Sequence, residues 1–376
     1  MEIYVVRGGD SLYGIARRYG TDAAELARIN QLNDPARLVP GMALLVPGGT
    51  ADRRAIEVNA YAYPAISDAV MAETMPYLTF FCPFCYQADA AGGLLPIEDA
   101  RMIAAAYADN AAPLLTVTNL GRSGGFSGEI AHALFTDKTA QDALFENIFS
   151  VLRMKNYYGV NFNIEYVYPY DRDSYSQFLS RAADELHPRG YFLSTAIAPK
   201  ESAGQEGLLY TAHDYAAHGR YADRVIIMTY EWGYTYSAPQ AVSPVNRMRR
   251  VLEYAVGEIL PGKILMGFSN YGYSWRLPWR QGDAATVISN AAAMNLAASA
   301  GAEIKFDRTA QAPFFTYTDA AGVRRVVWFE DARSVRARLE LVNEYGLAGI
   351  SCWTVNQLYR PGLELLQGMF DAEKVI

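Results

Sequence analysis

Residues 157–172 read YYGVNFNIEYVYPYDR, and the run from Val160 to Glu165 alternates strictly. Val160, Phe162 and Ile164 are apolar and suited to strands, whereas Asn161, Asn163 and Glu165 are polar. A strand has a side-chain period of two, so the apolar set takes one face and the polar set the other. Taken alone, this fits a half-buried strand whose polar face meets water. The setting argues otherwise, because similar short strands recur between helical segments throughout residues 57–376. In a closed parallel barrel the inward face is shut off from bulk water, and polar residues near strand ends line a site. Glu165 stands at the end of this strand, where a barrel enzyme keeps an acid.

Working outward, strands are expected near Glu57–Tyr63, Tyr77–Phe81, Leu114–Thr118, Val160–Glu165, Phe192–Ala196, Arg224–Tyr230, Lys263–Phe268 and Gly349–Thr354. Helical periodicity falls between them at Ile97–Asn110, Ala140–Lys155, Arg172–Leu186, Val245–Ile259 and Ala332–Tyr345. Strands alternating with helices argue an α/β (β/α)8 TIM barrel. The interval before the last strand is too long for one helix. It holds Glu303–Phe306, Phe314–Thr318, an Asp319–Gly322 turn and Val323–Phe329, an α+β insertion at about 276–330 with a hairpin.

The totals bound the function. A chain of 376 residues with 51% hydrophobic and 19% charged residues has the composition of a globular protein with room for one large and one small domain. The net charge of −7 and the lack of a basic run argue against nucleic acid. There is no apolar run long enough to span a membrane, and no Sec-type leader is visible at MEIYVVRGGD. The 27 tyrosines suit either sugar stacking or a large barrel core. Three cysteines do not make a disulfide framework. Cys82-Pro-Phe-Cys85 has redox or zinc spacing, but no second pair follows and His132, His187, His213 and His218 show no ligand spacing. The pair reads as structural, and neither metal nor cofactor is expected. NLGRSGGFSGE formally holds G-x-S-x-G at Gly121–Gly125, yet Ser123 lies several residues past a strand rather than on a strand-to-helix elbow.

Residues 1–48 read as a separate module: a strand at IYVV, a helix Ser11–Tyr19 capped by Asp10 or Ser11 and stopped by Gly20, a second helix Thr21–Asn30, and a strand Ala43–Val46. YVVRGGDSLYGIARRYG, ELARIN and LVPGMALLVP in this βααβ order resemble the LysM module, which binds N-acetylglucosamine in peptidoglycan or chitin. The resemblance puts a glycan groove between loops Gly9–Tyr13 and Leu38–Gly41, with Gly9, Asp10, Ser11, Leu12, Asn30, Pro40 and Gly41 as contacts. Residues 49–56 are small and polar and read as a linker between separate cores.

Three strand ends carry the chemistry: Glu165, the run Met228-Thr229-Tyr230-Glu231-Trp232, and Ser351-Cys352-Trp353. Here the chain resembles glycoside hydrolase family 18. That family's D-G-x-D-x-D-x-E falls on Tyr158 to Glu165, its M-x-Y-D/E on Met228, Tyr230 and Glu231, and its last-strand Trp on Trp353. MTYEWGYTY, KILMGFSNYGYSW and VVWFEDARS narrow the likeness to the YaaH/SleL-type branch of spore germination N-acetylglucosaminidases, which often carry two LysM modules where this chain carries one. The resemblance implies substrate-assisted retaining hydrolysis, in which the sugar's 2-acetamido oxygen attacks the anomeric carbon. Glu165 would serve as acid and then base, Asn163 and Tyr230 would hold the acetamide, and Trp353 would floor the subsite. Asn161, Glu231, Trp232, Tyr271, Tyr61 and Asn119 complete the expected substrate-binding set.

Asn163 departs from the family, which has Asp there. An amide still accepts the acetamide N–H but carries no charge to balance a cationic intermediate. It also removes a like charge beside Glu165, which should let Glu165 ionise more readily than in relatives with Asp. Family 85 endo-glycosidases use an Asn-x-Glu pair for similar chemistry. The expected partner is peptidoglycan or another N-acetylglucosamine-containing glycan, the expected state a monomer, and the expected location the spore cortex or wall, with the cytoplasm as alternative. A barrel that binds wall glycan with little or no hydrolysis is the other reading.

Overall fold

The computed structural model describes residues 1–48, 53–122 and 124–376. Part of the expected linker, residues 49–52, and Ser123 of the G-x-S-x-G reading lie outside the described residues.

Among the described residues, eight parallel strands close into a barrel: Arg54–Ala62, Phe80–Pro83, Ala112–Thr118, Gly159–Asn163, Phe192–Ile197, Arg224–Ile227, Ile264–Ser269 and Gly349–Trp353. They are called strands one to eight below. Each pairs with its sequential neighbour, and strand eight closes on strand one through Gly349 opposite Glu57 and Cys352 opposite Ala60. Strand one starts at Arg54, so residues 54–56 belong to the barrel and not to a linker. A short C-terminal strand, Phe370–Ala372, runs parallel to that start.

The alternation of strand four does what its period dictates. Val160, Phe162 and Ile164 face outward into the main core, where Phe162 meets Phe178 of helix Arg172–Leu186 edge to face at 5.2 Å. Inside, Asn161 accepts a hydrogen bond from Tyr61 Oη (2.8 Å) and donates to Ser194 Oγ (2.9 Å), linking strands one, four and five. Gly159 opens the strand where an added Cβ would lie 2.2 Å from the Phe192 carbonyl oxygen, so no larger residue fits this register. The ladder stops at Asn163, although the alternation runs on through Glu165. Strand six likewise ends at Ile227, before Met228–Trp232.

Between strands seven and eight lies the expected insertion, beginning earlier, at Tyr271. It is an antiparallel sheet of Thr286–Ser289, Tyr271–Arg276, Arg324–Trp328, Ala312–Thr318 and Lys305–Asp307, in that spatial order, with helix Asn290–Ala300 against it.

The N-terminal module has the βααβ order read from sequence. Glu2–Val5 pairs antiparallel with Ala43–Val46 around helices Leu12–Tyr19 and Ala23–Ile29. Ser11 caps the first helix, accepting from the Gly14 N–H (3.1 Å), and Gly20 ends it in a left-handed conformation. Its core is not separate. Leu12, Ile15, Leu26, Met42 and Leu44 share one buried cluster with Met294, Ala297, Ile304, Phe315, Val327 and Phe329 of the insertion. Polar contacts reinforce the joint: Ile304 N–H donates to Pro40 O (3.0 Å), Asn33 N–H to Asn295 Oδ1 (2.8 Å), and Arg333 to Gly41 O (3.0 Å). Gly41 sits at φ +82°, and a Cβ there would lie 1.8 Å from Ile304 O. The expectation of independent cores is therefore corrected: an apolar face of the module is completed by the insertion.

Candidate active site

At the C-terminal ends of the strands opens a cavity of about 560 Å³ lined by Asn163, Glu165, Met228, Tyr230, Glu231 and Trp353, among others. The backbone turns sharply beside both carboxylates. Tyr166 has φ +55° directly after Glu165, and Glu231 itself has φ +66°. Non-glycine residues hold such angles only where the surroundings over-determine them, and they concentrate at functional sites.

Glu165 lines this cleft and is half-buried. Burial first, and the charge of Glu231 second, push its carboxyl up to about 8. A like charge beside Glu165 comes from Glu231. Glu231 accepts hydrogen bonds from Tyr271 Oη and from Tyr273 Oη (3.0 Å); these counter the desolvation that raises its carboxyl. Tyr230 lines the same cleft. Its phenol is held well above the usual range, by burial first and then by Glu165 and Glu231, and so stays a proton donor. Trp353 forms part of the lining, set edge-on against Phe84 (4.7 Å), Tyr61 (5.4 Å) and Tyr63 (5.8 Å). Asn163 is 3% exposed, and its side-chain oxygen has no hydrogen-bond partner. A buried polar atom left unpaired costs about 1–3 kcal/mol, which an incoming donor would recover.

The other expected contacts are placed differently. Tyr61 and Asn161 are bonded to each other beneath the cleft and fully buried. Asn119 spends its amide on backbone: Oδ1 accepts from the Glu165 N–H (3.0 Å), and Nδ2 donates to Glu165 O (2.7 Å) and Ser127 O (2.9 Å). Both side-chain hydrogens are thus spent on backbone carbonyls and none is left for a sugar. Trp232 packs on the main core, and Tyr271 acts through Glu231. Tyr63, Phe84, Gln87, Ile97, Phe126 and Leu209 line the cleft as well; they come from the connections after strands one, two, three and five and share no motif. In the N-terminal module Gly9 and Ser11 are exposed, Asp10 is tied to Tyr4 Oη (2.8 Å) and the Arg7 N–H (2.7 Å), and Leu12 is core. Asn30 is also core: it donates to Leu26 O and Leu45 O and accepts from the Leu45 N–H, so its side chain joins helix to strand and does not reach a glycan.

The cysteine pair is buried. Cys82 donates to Asn59 Oδ1 (3.2 Å), and burial pushes the Cys82 and Cys85 thiols up to about 12 and about 11, which opposes thiolate chemistry. Among the described residues, His, Cys, Asp and Glu form no group of three placed to hold a metal, and no helix is long and apolar enough to cross a membrane.

A closed parallel barrel with an acid, a phenol and an aromatic floor meeting at its C-terminal mouth defines a glycoside hydrolase. The chain belongs to the glycosyl hydrolases of family 18, whose family model matches residues 116–357, while the LysM domain model matches residues 4–47. It is similar to the cortical fragment-lytic enzyme of Bacillus subtilis (strain 168), 41% identical over 430 residues that cover 100% of this chain and 99% of that one. The spore cortex-lytic enzyme SleL of Bacillus megaterium QM B1551 superposes with a TM-score of 0.94 at 32% identity, covering 100% of this chain and 99% of that one. A chitinase from Chromobacterium violaceum ATCC 12472 gives 0.78 at 28% identity, over 84% of this chain and 99% of that one. The two domains together imply binding of peptidoglycan- or chitin-type glycans.

Proposed function

We propose that this enzyme cleaves N-acetylglucosaminyl linkages in spore-cortex peptidoglycan by substrate-assisted, retaining catalysis. The observation that carries the reading is the meeting of Glu165, Asn163, Tyr230 and Trp353 in one cavity, where burial raises the Glu165 carboxyl and favours its protonated form. Trp353 supports the sugar in the cleft. Tyr230 donates to the acetamide oxygen and Asn163 Oδ1 accepts the acetamide N–H, which aims that oxygen at the anomeric carbon. Glu165 gives its proton to the leaving oxygen as the glycosidic bond breaks and the oxazolinium ring closes. The resulting carboxylate then takes a proton from the water that opens the ring, restoring the starting state. The N-terminal module holds the wall glycan, through Gly9, Ser11 and the loop around Pro40, and the protein works at the cortex.

The lack of charge at Asn163 favours a second reading, a barrel that binds glycan and cuts it slowly. Mass spectrometry of soluble cortex fragments incubated with the protein and with Glu165→Gln separates the two. New fragments with the unaltered chain and none with Glu165→Gln are expected. Equal fragmentation by both ends the assignment of Glu165, and glycan binding with no cleavage by either selects the second reading.

A further inference from the structure

Beyond Asn163 the fourth strand has left the ladder, yet its next peptide groups are buried and must still find partners. They find them in two side chains. Asn119, just past the end of strand three, accepts from the Glu165 N–H (3.0 Å) and donates to the Glu165 carbonyl (2.7 Å). Its second amide hydrogen goes to Ser127 O (2.9 Å), and its own carbonyl accepts from the Ser127 N–H (2.9 Å), so the amide cannot swing away without breaking several bonds. On the other flank is His213, just before helix Tyr215–Tyr221. Its Nδ1 accepts from the Ala198 N–H (2.9 Å), which leaves the proton on Nε2, and Nε2 donates to the Ile164 carbonyl (3.1 Å). Asn119 is 0% and His213 1% exposed.

We infer that Asn119 and His213 are positioning residues that aim Glu165: from the connections that follow the two neighbouring strands, three and five, they grip the consecutive peptide units carrying its carboxyl into the cleft. Sheet pairing ends at Asn163, and these side chains continue it by other means for the two residues that follow. The grip also supplies what the left-handed Tyr166 requires, a surrounding that holds an angle the free chain avoids. Neither residue touches substrate in this arrangement; both act through the backbone of Glu165.

The inference rests on Glu165 as the acid, and the test separates the two ideas. Initial rates on soluble cortex fragments are measured for Asn119→Asp, His213→Gln, His213→Ala and Glu165→Gln, on samples whose folded fraction is fixed by circular dichroism. Asn119→Asp keeps the shape and the acceptor but loses both amide donors. It should lower kcat by about 10²-fold, the usual effect of a misplacement on the order of 1 Å, with KM within about twofold. In His213→Ala, which adds no charge, the alkaline limb of the kcat profile should move to lower pH as a looser Glu165 becomes better hydrated. His213→Gln retains one donor and one acceptor and should recover most of the rate lost in His213→Ala. Unchanged kcat in Asn119→Asp, a loss confined to KM, or a loss that merely follows the folded fraction overturns the inference while leaving Glu165 as acid. Full activity in Glu165→Gln overturns the acid assignment itself and this inference with it.

Discussion

The carbonyl oxygen of Pro40 accepts a hydrogen bond from the backbone N–H of Ile304 across 3.0 Å, joining the LysM module to the barrel insertion. Around this bond the module and insertion share the cluster containing Leu12, Leu44, Phe315 and Phe329. Residues 53–376 alone should therefore melt lower than the full chain and bind a hydrophobic dye. Each large apolar side chain uncovered costs about 1.5–3 kcal/mol. Gly41→Val in the full chain should lower the melting temperature as well, since its Cβ has no room against Ile304 and its φ is +82°. Calorimetry showing the truncated barrel as stable as the intact protein would establish that the joint contributes nothing.

Asn163→Asp should raise kcat by about tenfold or more, because a charge beside a cationic intermediate is commonly worth ~10²-fold. The Asn163 side-chain oxygen has no partner within the protein, so the position is open to a ligand donor in either form. The new like charge disfavours ionised Glu165, so the alkaline limb of kcat should move up in pH. If rate and profile stay put while Glu165→Gln is dead, the amide is already a competent partner.

Glu231→Gln acts on the same limb with the opposite sign. The Glu231 charge is the second cause, after burial, of a Glu165 carboxyl lying near 8. Removing it should shift the limb to lower pH, while burial keeps Glu165 above the ordinary carboxylate range. A pH–rate profile displaced upward, or not at all, would show that the two carboxylates do not interact.

His213 governs a part of acid stability. Burial lowers its folded pKa to about 4 from an ordinary 6.5. Its contribution is thus fully present above pH 6.5 and is lost as pH falls toward 4, because the unfolded chain takes up a proton that the folded one refuses. The loss is on the order of 3 kcal/mol at most. Urea titrations between pH 7 and 4 should show a shallower decline for His213→Gln than for the unaltered chain; parallel curves would show that the ring titrates normally.

Much of the barrel was legible because short strand-forming runs recur between helical segments, and because helices such as Arg172–Leu186 carry a clear apolar stripe. Helix Asn290–Ala300 was not, being so rich in alanine that it has little amphipathic contrast to read. The alternation at Val160–Glu165 reports which way side chains face and says nothing of where hydrogen-bond pairing stops, so the strand was drawn two residues too long. Glu165, Tyr230, Glu231 and Trp353 stood out because each lies at the C-terminal end of a strand or within four residues beyond it, and strand ends converge in this architecture. Asn119 and His213 belong to no motif; their roles follow from neighbours far away in sequence. The shared core of module and insertion was hidden for a related reason: an apolar residue such as Leu44 shows that it is buried, but not against what.

The packing of Gly41 against Ile304 also fixes where the module stands relative to the barrel insertion. A module on a slack tether raises the local concentration of glycan evenly over every position the tether reaches. A module seated on the insertion offers one span and one direction only. Where a strand of the wall matches that span, both sites engage and dissociation slows together; where it does not, the second site adds nothing.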